Sequence, residues 1–278
     1  MKGRIETRPA TAAVEITTVR EGDALRRGDH IAIEEPLEVR LHGEPFAVIM
    51  RTPGDDEALT AGFLFSERVI WAPGDVDEIS PCAETDHPHA SNIINVKLAG
   101  RAAGELQQVL AGRRQVVTNA SCGMCGRVSI ESLQVHAPHV DAPLRIDAAT
   151  VCALPDRLRR RQGAFDETGG LHAAGFFRPD GECVMSAEDV GRHNAVDKIV
   201  GRALLSSSLP ASRLVLVVSG RTSFEIVQKA FLAGVPAVVA VSAPSSLAVQ
   251  LADAAGITLV GFAREGAFNI YSHPNRIT

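Results

Sequence analysis

The sequence predicts an α/β fold: a sheet with helices on both faces, preceded by a smaller α+β unit. Three observations predict it. From Gly170 onward, strand-like and helix-like segments alternate. The strands of that half, "RLVLVVSG", "AVVAVSA" and "TLVGFA", are unbroken apolar runs, as strands buried on both faces are. The first half shows a hairpin pattern and scattered single elements instead. A soft boundary near residue 145 therefore divides an N-terminal unit, 1–145, from an α/β unit, 146–278.

Residues 1 to about 30 are polar and patternless and read as a loose arm or an edge strand. "PLEVRLHGEPFAVIM" reads as a hairpin, with strands over Leu37–Leu41 and Phe46–Met50 and a turn at His42–Gly43. A helix follows, with Asp55 as its N-cap, acids in its first turn, and Leu59 and Phe63 four apart on one face. "SNIINVKLA" is a further strand. The stretch from Gly100 to Gly126 is polar and Arg-rich around "AGRRQ".

"DAATVCALPDRLRRRQ" reads as a helix capped by Asp147, with Val151, Leu154 and Leu158 on its apolar side and a kink at Pro155. Its cationic end, Arg157 to Arg161, suits the helix dipole and reads as a solvated face before it reads as a docking patch. A strand pair then turns at "RPDGE". Helices follow at "DVGRHNAVDKIVGRALL", "TSFEIVQKAFLAG" and "SSLAVQLADAAG", separated by the apolar strands, with "FNIYSHP" as the last strand.

Composition narrows the function classes. The chain has 278 residues, 45% hydrophobic and 22% charged, so it is long enough for one large domain or two modest ones. A net charge of −5 exerts no overall pull on nucleic acid or anionic lipid. The first residues lack the apolar core of a secretory signal, and no apolar run approaches the roughly 18 residues a membrane helix needs. The expectation is a cytosolic protein with neither nucleic-acid nor membrane partners. Five cysteines are too few, and odd in number, for a disulfide scaffold. Cys82, Cys152 and Cys183 stand alone and read as small buried hydrophobes.

Cys122 and Cys125 are different. "SCGMCGRV" sets them three positions apart between glycines, on a loop near 115–127. Such a pair is half a metal site, a redox dithiol, a sulfur-handling nucleophile, or nothing. A structural zinc site needs a second ligand pair, and "HPH" at His87 and His89 has the wrong gap. A zinc deaminase needs a ligand two residues before a catalytic glutamate and upstream of the cysteines; His172 is followed by Ala-Ala-Gly and lies downstream. A thioredoxin-like pair follows a strand and opens a helix early in the fold. The local reading is an exposed, transferable thiol on a mobile mount, with no metal.

The turns after the C-terminal strands are the natural ligand edge of an open α/β sheet. Ser219, Gly220, Arg221 and Thr222 in "VVSGRTSFE" make an anion cradle at a helix start. "AVSAPSS" is a second hydroxylated turn, and "VGFAREG" a third, bearing Arg264. Each alone is ordinary capping chemistry; three at one edge point to a phosphate-bearing ligand. "GGLHAAGFF" and "EDVGRHNAVDK" add His172, Glu188, Asp189, Arg192, His193 and Asp197. Here Asp189 reads as an N-cap and Asp197 as a residue orienting His193.

Taken together, "SCGMCG", "TGGLHAAGF", "EDVGRHNAVDKIVG", "SGRTSFEIVQKA" and "GITLVGFAREGAFNIYSHPNRI" resemble the FdhD/NarQ family, the formate dehydrogenase accessory sulfurtransferases. The resemblance runs from "EEPLEVRLHGEPFAVIM" almost to the last residue. It implies a cytidine-deaminase-like α/β/α core, a mixed sheet without the deaminase zinc site, in a homodimer. It implies a sulfurtransferase that receives sulfane sulfur from a cysteine desulfurase as a cysteine persulfide. The sulfur then passes to the molybdenum or tungsten bis(molybdopterin guanine dinucleotide) cofactor before that cofactor enters formate dehydrogenase.

The persulfide position falls on Cys122, the first of the pair. On the chemistry of the pair, Cys125 would assist by attacking the Cys122 persulfide, releasing sulfide and leaving a Cys122–Cys125 disulfide, with Arg127 helping to lower the Cys122 pKa. The guanine-dinucleotide site falls on Phe262, Ala263, Arg264, Glu265, Gly266 and Ala267. GDP is then the natural mimic, with its phosphates at Ser219 to Thr222 and with His172, Arg192 and His193 walling the reactive end. Two rivals stand beside this reading: a zinc-stabilised binding module, and a chaperone that holds the cofactor without moving sulfur.

Overall fold

The computed structural model describes residues 8–82, 89–113 and 139–278. Cys122, Cys125 and Arg127, with the rest of the loop near 115–127, lie outside the described residues, as does His87.

Where the sequence suggested a loose arm or an edge strand, residues 11–32 form a regular two-stranded hairpin. β1 (Thr11–Arg20) pairs with β2 (Asp23–Ala32) in unbroken antiparallel register from Thr11↔Ala32 to Arg20↔Asp23. Glu21 and Gly22 close it, both at positive φ, the geometry that matches strand twist in a two-residue turn. The pattern escaped reading because Val19, Leu25 and Ile31 stay exposed and the rest is largely polar.

A four-stranded sheet comes next. β3 (Glu35–Leu41) and β4 (Glu44–Arg51) form the expected hairpin. β5 (Val76–Pro81) and β6 (Ile93–Leu98) extend it in the order β4-β3-β6-β5, with β3 and β6 parallel. α1 (Asp56–Ser66) follows β4, and α2 (Gly100–Arg113) follows β6. Asp55 sits at the N-cap position of α1 but does not cap it. Its left-handed backbone (φ 56°) turns the carboxylate away from the helix amides, and it pairs with Arg202 instead.

The C-terminal half carries a six-stranded sheet. β7 (His172–Phe177) and β8 (Cys183–Asp189) are the pair turning at "RPDGE". β9 (Val215–Val218), β10 (Ala237–Ala240) and β11 (Thr258–Arg264) are the apolar runs, and β12 (Ala267–Ser272) closes the edge. The order is β12-β11-β10-β9-β7-β8, with β9, β10 and β11 parallel and the outer pairings antiparallel.

Burial follows the strand period of two. Leu216, Val218, Val238 and Ala240 pack with Val196, Ile199 and Val200 of α5 (Arg192–Leu205), Val227 of α6 (Phe224–Leu232) and Ala248 of α7 (Ser246–Ala255). Val215, Val217, Ala237 and Val239 face the other way, onto Val151, Leu154 and Leu158 of α3 (Ala148–Arg159). Asp147 caps α3 as expected, accepting from Ala149 N at 2.7 Å. This is the predicted α/β/α layering. α4 (Gly163–Thr168) links α3 to the sheet.

α1 lies directly on α5, and two glycines set the distance. A Cβ on Gly62 would sit 1.9 Å from the carbonyl oxygen of Asp197, and one on Gly201 1.8 Å from that of Ala58. Leu37, Val39, Leu59, Leu64 and Val96 thereby join the same core as α5 and the six-stranded sheet, so the packing runs unbroken past residue 145.

Candidate functional site

β9, β10 and β11 end at one edge of the large sheet. β8 is parallel to β9 through two reversals, so it ends there too, and α5, α6 and α7 all start at that edge. On the α3 side this edge holds a cavity of about 570 Å³, within the range of small-ligand sites. Five of the residues singled out from sequence line it: His172, Ser219, Arg264, Glu265 and Gly266. Cys152, Arg159 and Phe165 of α3 and α4 form the opposite wall. Arg159 stacks over the Phe165 ring at 4.6 Å and pairs with Asp166.

The Arg264–Gly266 segment reaches the cavity because it is the tip of the β11–β12 hairpin. Arg264 pairs with Ala267 across Glu265 and Gly266, which are both at positive φ. Phe262, Ala263 and Ala267 are not in the lining. Ala263 is fully buried in the core beneath α3, while Phe262, at φ 54° in an irregular stretch of β11, is exposed.

The turn after β9 is held by its own hydroxyl. Ser219 N donates to Ala173 O (3.0 Å), and Ser219 Oγ accepts from Ala173 N (2.8 Å). Gly220 runs hard against two other site residues: a Cβ there would be 3.3 Å from His172 Nδ1 and 3.9 Å from Arg192 Cδ. The Thr222 amide is given to Ala243 O (3.1 Å) and its side chain is buried, which ties this turn to the next one and leaves no Thr222 amide for an anion. Arg221 is exposed, with no partner among the described residues. Ser223 is the N-cap of α6 but caps nothing; its Oγ lies 3.0 Å from His193 Nε2. By contrast, Ser245 caps α7 in the usual way. The first amides of α6 therefore stay open beside Gly220 and Arg221, as an anion site requires.

Three carboxylates near the site have other tasks than the sequence suggested. Asp197 does not orient His193. It is a turn further along α5 and accepts from Lys229 Nζ (2.7 and 2.9 Å) and Ser66 Oγ (2.8 Å), where burial pushes its carboxyl pKa up. Nor is Asp189 the N-cap of α5, a position that Gly191 takes. Buried two residues earlier, Asp189 gathers Gly191 N, Asn194 Nδ2, Thr52 N and Lys198 Nζ. Glu188 accepts the Ala164 and Phe165 amides (3.1 and 2.8 Å) and so fixes the start of α4 against the cavity.

The side chain that does meet His193 is Glu225, whose Oε2 lies 3.0 Å from Nε2. Sequence reading passed over it because a glutamate in a first helical turn is ordinary dipole compensation. Arg192 Nε is buried without a partner at the start of α5.

Burial pushes the His172 pKa down, and the neighbouring Arg192 and His193 add to the shift. The ring is thus neutral near pH 7 and serves as a hydrogen-bonding wall. The folded state binds this proton less tightly than the unfolded chain does. Its contribution to stability is present above the ordinary value of 6.5 and is lost as pH falls from there through the lowered value. His172→Gln should therefore flatten the fall in melting temperature between pH 7 and pH 5, measured by scanning calorimetry; an unaltered slope would count against this environment for His172.

Among the described residues, no three His, Cys, Asp or Glu side chains converge as metal ligands, and no helix is long and apolar enough to cross a membrane. A family model, that of the FdhD/NarQ family, matches residues 32–278. The chain belongs to the FdhD/NarQ family. FdhD/NarQ relatives cover nearly its whole length. A protein named sulfur carrier protein FdhD from Streptomyces avermitilis is 48% identical over 95% of this chain and 94% of its own. One of the same name from Saccharolobus solfataricus is 41% identical over 95% and 96%. A crystal structure described as a formate dehydrogenase accessory protein from Desulfotalea psychrophila superposes with a TM-score of 0.77. It has 26% identity and covers 97% of this chain and 100% of that one.

Proposed function

We propose that this chain is a sulfur carrier for formate dehydrogenase maturation. It accepts sulfane sulfur from a cysteine desulfurase as a persulfide on Cys122. It then passes that sulfur to a molybdenum or tungsten bis(molybdopterin guanine dinucleotide) substrate. The names of its relatives support the role. The observation that carries the ligand side of it is the cavity, which unites His172, Ser219 and Arg264–Gly266 from three separate stretches of chain at the ligand edge of the sheet.

The residues present suit a guanine dinucleotide. Arg264 and Glu265 offer a cation and an acceptor to a base or ribose. Gly220, the cationic Arg221, the open α6 amides and the unpartnered Arg192 Nε suit phosphates. Neutral His172 lies between the two. Cys122 supplies the nucleophile: its thiolate takes the donor's outer sulfur. The working form is a cytoplasmic homodimer.

Incubation with a cysteine desulfurase and cysteine should add the mass of one sulfur to the intact protein. In calorimetry, GDP should bind in preference to ADP. Arg221→Ala and Arg264→Ala should each weaken it about ten- to a hundredfold, the worth of one charge-assisted contact. Unchanged affinity in both variants would move the nucleotide elsewhere. GDP binding with no sulfur gain would favour a chaperone that never touches sulfur.

A further inference from the structure

Glu225 Oε1 and Oε2, Gln228 Nε2, Thr222 Oγ1 and Arg192 Nε are all buried without a hydrogen-bond partner. All lie at the heads of α5 and α6 or in the turn between β9 and α6. Buried polar atoms are normally paired, so such a cluster points to chemistry over packing. His193 meets this cluster at Glu225, with its side chain 12% exposed and that of Glu225 9% exposed.

The geometry fixes the ring's proton. Glu225 Oε2 and Ser223 Oγ both lie 3.0 Å from Nε2. A carboxylate that close to a bare ring nitrogen would set lone pair against lone pair, so Nε2 carries the hydrogen. Ser223 Oγ takes the aligned bond, and Glu225 supplies the neighbouring negative charge. In the neutral ring Nδ1 is then the acceptor, and it has no partner among the described residues. Besides Glu225, the titratable groups that act on this ring are Asp197 on α5 and His172 at the start of β7, with Arg192 next to His193 in the chain; Arg192, Arg221 and Asp189 act in turn on His172, and Lys229 on Asp197. Asp197 is already neutralised by Lys229 and Asp189 by Lys198, which leaves Glu225 as the carboxylate available to the imidazole.

We propose that His193 Nδ1 is the proton acceptor for an S–H group presented at this edge during sulfur transfer, and that Glu225 is the residue that positions it. The inference rests on the sulfur-transfer reading. In the step, the S–H bond breaks and its electron pair stays on sulfur. An N–H bond forms at Nδ1, and nothing is oxidised or reduced. The imidazolium that results is balanced by Glu225 at the other nitrogen, and the proton returns to solvent when the ring resets.

Nitrogen NMR of the ligand-free protein, with the His193 signals assigned by their loss in His193→Gln, should find the hydrogen on Nε2. Glu225→Gln should relax that preference. In a mixture of cysteine desulfurase, cysteine, cofactor and apo formate dehydrogenase, Glu225→Gln should slow activation about ten- to a hundredfold, with His193→Gln at least as slow. The double variant should be no slower than His193→Gln alone, because Glu225 acts through the ring. A hydrogen on Nδ1 in the unaltered protein would overturn the proposal, as would a further slowing by Glu225→Gln in the His193→Gln background. Absence of any activation by the unaltered protein would instead remove the sulfur-transfer reading, and the acceptor role with it, while the NMR result would still decide the positioning by Glu225.

Discussion

Cys122→Ala is expected to fold, to bind GDP, and to accept no sulfur. The attacking species in sulfane transfer is a thiolate that the donor can reach. The described thiols are poor substitutes. Cys82, Cys152 and Cys183 are all partly buried. Burial raises the Cys183 pKa, an effect Arg161 offsets only in part, so little thiolate forms there at neutral pH. Cys152 lies in the cavity wall, with Arg264, Glu265 and Gly266 in the same lining. Intact mass after exposure to a cysteine desulfurase and cysteine should therefore show no added sulfur in Cys122→Ala, and formate dehydrogenase matured with it should be inactive. Sulfur retained on a peptide containing Cys152 would transfer the carrier role to that residue.

Gly201→Ala is expected to destabilise the fold by about 3 kcal/mol or more, since overpacking against backbone cannot be relieved by a side-chain rotation. The new Cβ would meet the Ala58 carbonyl at 1.8 Å and Gly62 N at 2.7 Å, so α1 and α5 would have to part along their length. Ordinary propensity predicts the reverse sign, since alanine in a helix is about 1 kcal/mol better than glycine. Gly104→Ala is the control: it lies on α2 with nothing near its added Cβ, and should gain about 0.5 to 1 kcal/mol. By calorimetry, Gly201→Ala should melt about 10 °C lower. A rise in melting temperature would mean that the close helix crossing does not exist.

Much of the fold was legible because burial writes itself into apolar runs. β9, β10 and β11 read directly as strands covered on both faces, and Asp147 read directly as a cap. The β1–β2 hairpin was not legible, because a two-stranded ribbon exposed on both sides has no apolar face to reveal its period.

At the ligand edge, spacing identified the right helices but not which carboxylate serves which partner. Asp197 and Glu225 look equivalent as sequence, one four residues after His193 and the other in a different helix. Only the packing of α1 and α6 on α5 gives the first to Lys229 and leaves the second to the imidazole. Likewise "SGRT" suggests four equivalent cradle residues, yet Thr222 spends its amide on Ala243. Long-range hydrogen bonding of that kind leaves no local trace.

The two glycines at the α1–α5 crossing also set an order of events at the ribosome. α1 is translated roughly 140 residues before the helix it must touch, and at 5 to 20 residues per second that is a wait of about 7 to 30 s. Throughout that interval Leu59 and Leu64, fully buried in the finished protein, have no second helix to cover them. Chain growth, not the search for a native contact, is then the slow clock for this part of the core. A nascent chain arrested before α5 emerges would be a client for holdase chaperones, whatever the stability of the finished molecule.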